Sequence, residues 1–524
     1  MPFLKATLIF YCMLHALSAL SQYPQKADKA DQPLRVEIPA KSDNETYRII
    51  PCDSSGFIMF FRSLETIGDN QTKWYFAFYD RNFQQLWIKS LPLLSDKDFR
   101  FRELRHDTLF LFFGTTGKSK NPLQDFQILR VLLARGTFVL NQGKFPENSE
   151  ASFFDIAGNR AWIGLNSKEK PGRVMTMNLS DGTTRSFVLG EGSSLWLRWF
   201  LPDSSGLSVS AIVTRQLSKK MVEHFLVRYD TNGSMLFEMP ISTMAPDRNL
   251  TGFQVLSTGA KNYFICGTYV LNSKGSSRTN LKGAEESSGF FSTQVVGGIQ
   301  KPMLFHNFLE LKNANSLLSE KDILDLKKKA LKKNRNLGEY SLDFSVLLHP
   351  LISCRDQLLF IGEVYYPQYH TENFTDFDYY GRPYTNSYSV FDGYRFINAI
   401  VAAFNPEGKL LWDNTLEIRN LLSGELSSTV TAHLLGDEML LAYLADGKIG
   451  SKIIVANNVI EKLDFTPLEM MHPEDKLINE SKSRMIPWYG NYFLCYGYQE
   501  IKNIALENNN KRLVFFVNKI RFER

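Results

Sequence analysis

The side chains best suited to hold a ligand or a partner crowd into one stretch, Tyr366 to Arg395, which carries tyrosines at 366, 369, 379, 380, 384, 388 and 394. A tyrosine joins a large apolar ring to a polar tip, a combination that stacks on sugars and anchors protein interfaces. Tyr379, Tyr380, Tyr384 and Tyr394, with Arg382 among them, are the expected contacts, and the expected partner is a protein or a glycan. The simpler alternative is a loop that packs on its own aromatics. Glu372, Asp376, Asp378 and Asp392 offer oxygens to calcium, but their spacing misses the helix-loop-helix calcium loop at several positions, so no metal is expected.

Other chemistries leave no signature. The eight histidines include no H-E-x-x-H and no pair at helical ligand spacing, which removes the zinc hydrolase pattern. Neither the G-x-S-x-G elbow nor the G-x-x-x-x-G-K-[ST] phosphate loop occurs. GEGSSL at 190–195 starts like a dinucleotide loop, lacks the third glycine and reads as a turn. No C-x-x-C pair exists, and no cofactor is expected. The net charge of +5, from 60 basic and 55 acidic side chains, is near balance. It argues against nucleic acid, which needs a clustered basic stripe. Carboxylate pairs for glycoside chemistry can be assembled from distant segments. A carbohydrate-active enzyme is therefore the alternative to the expected function, a non-enzymatic binding or scaffold module.

These side chains need a scaffold, and the chain spells one by repetition. WYFAFYDRNFQQLW, HFLVRYDTNGSMLF and AIVAAFNPEGKLLW share one spacing. An aromatic (Tyr79, Tyr229, Phe404) precedes Asp or Asn (Asp80, Asp230, Asn405), and six positions later Leu and a second aromatic follow (Trp87, Phe237, Trp412). Asp or Asn can hydrogen-bond its own turn, and Gly233 or Gly408 supplies a positive φ, so the phrase reads as a hairpin turn. A tight polar turn before a strongly apolar strand recurs at eight places, beginning near residues 53, 105, 157, 202, 257, 354, 435 and 488. With 44% hydrophobic residues, 40 Phe and 22 Tyr, the composition suits pleated, half-buried surfaces.

One four-stranded antiparallel unit repeated every roughly 45 to 60 residues is the pattern of a β-propeller. The expected fold is all-β with eight blades, seven being the alternative. The last unit lacks one strand. LRVEIP at 34–39 is alternating and otherwise unpaired, so it is expected to pair near 513–521 and close the ring, which would otherwise expose two sheet edges. The connections between second and third strands and between units hold the long insertions, at 114–125, 271–288, 316–338, 366–395 and 470–481, so one face is elaborated. Long insertions in a compact fold are usually functional or disordered. The insert at 314–338 contains SEKDILDLKKKALKKNR, which reads as a helix near 319–334 with Ser319 as N-cap.

At the N-terminus, Lys5, an apolar run from Ala6 to about Leu17 and Ala19-Leu20-Ser21 read as a signal peptide over 1–21. The apolar run is shorter than the roughly 20 residues of a bilayer span. The protein is expected to be exported, to the periplasm or the extracellular space, as a monomer without a transmembrane segment. A polar linker over 22–33 and a single domain over 34–524 would follow. Seven N-x-[ST] sequons, Asn44 and Asn373 among them, matter only in a eukaryotic secretory pathway. Cys52, Cys266, Cys354 and Cys495 read most simply as buried thiols. If disulfides form, the expected pairs are Cys52 with Cys495 and Cys266 with Cys354.

Ala403-x-Asn405-x-x-Gly408-x-x-x-Trp412 resembles the Ala-x-Asp…Gly-x-x-x-Trp turn of quinoprotein-like (PQQ-like repeat) propellers, in the broad WD40/quinoprotein-like class. Over nearly its full length the chain is similar to uncharacterised exported propeller proteins of Bacteroidetes-type bacteria. The resemblance implies the fold and export. Because Gly408 follows Asn405 by three residues, not four, and the adjacent-cysteine pair of quinone alcohol dehydrogenases is absent, it does not imply a cofactor.

Overall fold

In the computed structural model, residues 30–522 are described except 44, 69, 116–124, 168–170, 191–194, 219–220, 260, 272–285, 314–327, 329–342 and 504–510. They form eight antiparallel sheets, numbered here in chain order: 48–94, 97–144, 149–188, 195–241, 248–307, 344–423, 431–467, and 475–522 with the strand Ala30–Pro39. Sheet 6 also takes in Glu286–Ser287. All eight apolar strands that follow the tight turns are second strands, from Gly56–Ile67 in sheet 1 to Tyr492–Asn503 in sheet 8. Their near-continuous apolar runs reflect burial on both faces. Phe110, Leu111, Phe112 and Phe113 of sheet 2, for example, are all buried.

The core is divided among the spaces between consecutive sheets. Leu111 and Phe113 pack with Phe60 and Trp74 of sheet 1, while Phe110 and Phe112 pack with Phe154 and Ile163 of sheet 3. Fully burying one such ring stabilises by about 1.5–3 kcal/mol. The same alternation runs through to sheets 7 and 8. An eighth cluster joins the last sheet to the first, with Trp488, Leu494 and Phe515 against Ile49, Phe57 and Met59. This is a propeller-like, all-β arrangement. Among the described residues, the helical pieces of three or more residues are two short 3₁₀ turns, Asp53–Ser55 and Phe308–Glu310.

The repeated phrase is the turn from third to fourth strand, as its spacing suggests. Asp80 Oδ1 accepts from the amides of Asn82 and Gln84, and Asp230 Oδ1 from those of Asn232 and Ser234, each at 2.8 Å. Gly233 and Gly408 sit at φ +84° and +88°. In sheet 1 Phe83 takes the left-handed position at φ +62°. The aromatic that ends the phrase is tied differently in two copies: Trp87 Nε1 donates to Leu133 O of sheet 2 at 2.8 Å, which latches two sheets, whereas Trp412 Nε1 donates to Gln357 Oε1 of its own sheet at 3.0 Å.

Several expectations change. The N-terminal strand begins at Ala30, inside the expected polar linker, and pairs with Lys511–Phe522. Gln32 is buried there because its amide bridges Pro467 O and Glu469 N at 2.8 and 2.9 Å, a polar match that hydropathy does not reveal. The insertion expected over 470–481 is largely strand, Asp475–Pro487. Neither disulfide forms: all four cysteines are free, and Cys52, Cys266 and Cys495 lie in three different inter-sheet cores, with Cys354 at the edge of a fourth. Burial pushes the Cys52 thiol up to about 12. The signal peptide and the helix near 319–334, apart from Lys328, lie outside the described residues.

Candidate functional site

The Tyr-rich segment is a β-hairpin arm, not a loop. The second and third strands of sheet 6, Gln357–Phe377 and Pro383–Phe404, stay paired from Leu358↔Phe404 to Phe377↔Pro383. Their neighbours stop early. The first strand pairs only as far as Tyr365 and the fourth only as far as Tyr394. Beyond that, among the described residues, the two strands run on as a ribbon about 40 Å long, at about 3.4 Å per residue. Val, Thr, Tyr and Phe favour this extended form. The tip reuses the turn of the repeated phrase: Asp378 Oδ1 accepts from the amides of Tyr380 and Arg382 at 2.9 and 2.8 Å, and Gly381 sits at φ +73°. At the base, Gly393 has φ +145°, and a Cβ there would lie 2.7 Å from Ser423 O. Only glycine fits where the fourth strand leaves the ribbon.

The five expected contacts do not share one surface. Tyr379 and Tyr380 occupy the tip, 96% and 78% exposed, with the Arg382 guanidinium over the Tyr380 ring. Tyr384 lies along the ribbon. Tyr394 is at the base, packed edge-on against Tyr365 and Phe391 at 5.6 and 5.1 Å, where it serves the scaffold.

Cross-strand partners share a face, which makes the ribbon two-sided. One side pairs Thr371 with Ser389, Asn373 with Ser387 and Thr375 with Thr385. The other pairs Glu372 with Tyr388, Phe374 with Asn386 and Asp376 with Tyr384. The Tyr388 hydroxyl donates to Glu372 and that of Tyr384 to Asp376. His370 bonds Asp392 through Nδ1 and Glu372 through Nε2. The Tyr388 hydroxyl, then His370, lowers the Glu372 pKa and keeps the carboxylate charged, while Asp392, then Glu372, raises that of His370. Among the described residues no group of three His, Cys, Asp or Glu side chains could hold a metal ion.

The arm stands on the rim of a cavity. Leu421–Ser423, which pair with Tyr394–Phe396, also line a space of about 310 Å³ that shares Thr46, Arg48, Glu425, Arg484 and Tyr496 with a neighbouring one of about 880 Å³. The larger cavity is lined by the first strands of sheets 1, 2, 3 and 8 and by the connection between sheets 6 and 7. Arg48, Arg100, Arg102 and Arg484 face Asp98, Glu103 and Glu425 across it. Glu425 meets both Arg48 and Arg484, at 3.5 and 3.4 Å. Glu103 and Asp155, from sheets 2 and 3, converge on Arg105 Nη2 at 3.3 and 2.6 Å, which puts the two carboxylates within about 6 Å of one another, near the range of glycosidase pairs. Burial, then Asp155, pushes Glu103 up to about 7. Arg105 also donates from Nε to Ile156 O, so the trio ties two sheets together.

A Glu held neutral by the fold costs stability once the unfolded chain can ionise it. The penalty begins near the unfolded value of 4.5, grows up to about pH 7 and is constant above. Glu103→Gln should therefore be nearly neutral below pH 4.5. Above pH 7, after discounting for partial exposure, it should stabilise by about 1 kcal/mol, or roughly 1–2 °C in Tm. Thermal scans of both proteins across that range check this, and a difference that does not change with pH would contradict it.

A residue behind the cavity wall that sequence reading missed is Glu363, fully buried three residues before the arm. It accepts from the Thr429 and Val430 amides at 2.9 and 3.0 Å and from Thr429 Oγ1 at 2.5 Å, and His349 Nε2 lies 2.5 Å away. It fastens the cavity wall to the root of the arm. The only signal was a lone Glu within an apolar strand, LLFIGEVY.

No protein-family model matches the chain, and no curated protein matches it. Solved structures do. A dihydro-heme d1 dehydrogenase, NirN, aligns over 94% of this chain and 79% of its own at 8% identity, with a TM-score of 0.39. A prolyl endopeptidase aligns over 87% of this chain at 8% identity and a TM-score of 0.35. A functionally unknown protein from Desulfotomaculum acetoxidans DSM 771 aligns over 75% of this chain and 96% of its own at 10% identity and a TM-score of 0.34. The chain spans about half the length of that endopeptidase, 54%. At these scores the likenesses carry nothing about activity.

Proposed function

We propose that the eight sheets are the blades of a closed eight-bladed β-propeller, and that the protein is an exported binding or scaffold module. Its partner, a protein or glycan of the envelope or extracellular space, is captured by the arm of sheet 6. Closure is supported by the pairing of Ala30–Pro39 with the last strand and by the core shared between sheets 8 and 1. The single observation that carries the binding role is the arm itself, which leaves Tyr366, Tyr369, Phe374, Phe377, Tyr379, Tyr380, Tyr384, Tyr388 and Phe391 exposed. A two-stranded ribbon standing alone in water is marginal, and exposed apolar surface on this scale marks an interaction site. Export rests on the segment 1–21 alone.

Replacing residues 371–390 by a short Gly/Ser turn removes most of the ribbon without touching a pair made by the first or fourth strand of sheet 6. Capture of the native partner from the envelope fraction should fall about 100-fold, since aromatic anchors contribute about 2 kcal/mol or more each. The melting temperature should move by no more than about 2 °C, because a solvated ribbon adds little to the core. Undiminished capture would overturn the proposal. The enzymatic alternative has one observation in its favour, the Glu103 and Asp155 pair. Hydrolysis of an oligosaccharide that Glu103→Gln abolishes would favour it.

A further inference from the structure

We propose that the arm takes up an extended, cationic polypeptide by strand addition along the outer edge of residues 366–377. Basic side chains at guest positions i and i+4 would meet Glu372 and Asp376, and an apolar side chain at i+2 would meet Phe374. This rests on the arm being the capture site and specifies what it captures. Three observations combine. Among the described residues, the edge of Gln357–Phe377 has no strand partner beyond Tyr365, so its amides and carbonyls are open to pairing. One face of the ribbon gathers Glu372, Asp376 and Asp392 around Phe374, Tyr384 and Tyr388, while the opposite face is uncharged between Thr371 and Thr375. His370 lies on this face between Glu372 and Asp392 and offsets part of their charge, while Arg382 sits over the tip ring of Tyr380 and Arg395 is held by Gln368 at the base, so the strip between them keeps an excess of carboxylates. In a chain of net charge +5, this acidic, aromatic strip is a local reversal of sign.

Glu372 and Asp376 are four residues apart on one strand, hence on one face and about 14 Å apart. A parallel or antiparallel guest strand presents its own i and i+4 side chains at the same spacing. Each carboxylate keeps unused lone pairs after its tyrosine bond, and the rings beside them attract cations further. A second copy of this chain fits poorly, because strip against strip would oppose carboxylates. A neutral glycan could hydrogen-bond the acids through its hydroxyls but would leave the open strand edge unused.

The test uses the mature full-length protein and the labelled peptide Thr-Lys-Thr-Val-Thr-Lys-Thr. Binding should be at least tenfold tighter than for the same peptide with Glu in place of Lys. It should fall at least tenfold in the Glu372→Gln/Asp376→Asn double variant at unchanged melting temperature, and weaken as salt rises. Equal binding by the Lys and Glu peptides, or by wild type and double variant, would overturn the inference, as would an oligosaccharide that binds wild type but not the arm-replaced protein. The two levels separate cleanly. Loss of the native partner on arm replacement with no lysine-peptide binding sinks the cationic strand alone, whereas retention of the native partner sinks the arm as capture site.

Discussion

Removing residues 22–40 is expected to lower the melting temperature by roughly 10 °C or more, or to abolish a single cooperative transition, because it uncovers the whole outer edge of sheet 8. Ala30–Pro39 pairs with Lys511–Phe522 from Ala30↔Phe522 to Pro39↔Val514. Its loss also opens the core between sheets 7 and 8, where Ala30 is buried, and deprives Pro467 O and Glu469 N of Gln32. Arg35, which donates to Asn518 and Gln499 at 2.8 Å each, goes with it. Arg512 loses Glu37 but keeps Asp475 at 2.6 Å, so the effect comes from the lost ladder and packing rather than from a single orphaned charge. A synthetic peptide of residues 28–41 should restore part of the midpoint in trans. An unchanged midpoint after deletion, with no response to the peptide, would mean that the strand is not needed to complete sheet 8.

The repeat was readable because its units obey local rules: an Asx turn, a glycine or its substitute at positive φ, and an apolar run buried on both faces. Every second strand followed from this, and so did the partner of the N-terminal strand. What resisted reading were places where a polar side chain is buried by a specific match. Gln32 made the start of the first strand look like linker, although it lies within Ala30–Pro39, at a register shift between Asp31 and Leu34. Glu363 passed unread inside an apolar strand and is a hydrogen-bonded clamp. Burial of a polar group is favourable only with its partners in place, and those partners are 66 and 67 residues away.

The arm failed for the opposite reason. Asp378-Tyr379-Tyr380-Gly381-Arg382 carries the same Asp and glycine as the recognised hairpin turns, and β-formers flank it on both sides. Its length and lack of apolar alternation suggested a loop because strands are normally recognised by the face they bury. Here twelve residues on one side extend past the first strand of their sheet, and among the described residues none of them is buried, so there is no buried face to leave a pattern. Tyr394, grouped with the contacts by residue type alone, is packed at the base because the fourth strand still reaches it, whereas Tyr379 lies in the tip turn.

Glu363→Ala should cost about 3–5 kcal/mol, or roughly 5–10 °C in melting temperature, even though the substitution touches no exposed surface. The carboxylate is fully buried and serves four donors or near neighbours: the Thr429 and Val430 amides, Thr429 Oγ1 and His349 Nε2. Alanine leaves those groups in a space that cannot repair them, and unmade buried hydrogen bonds cost more than made ones contribute. Glu363→Gln keeps the shape and one acceptor oxygen, so it should cost about half as much. The damage should also be local. The connection held by Glu363 carries Glu425 and Ser427, which bond Arg484 at the cavity wall, and it continues directly from Leu421–Ser423, the strand end that braces the arm. Hydrogen exchange at the Thr429 and Val430 amides should therefore accelerate in the Ala variant, with Tyr394 and Arg395 following, while the amides of sheets 2 to 4 stay protected. Unchanged protection at 429 and 430 together with an unchanged midpoint would show that the clamp does not hold the wall, and that the arm's footing lies in the strand pairing alone.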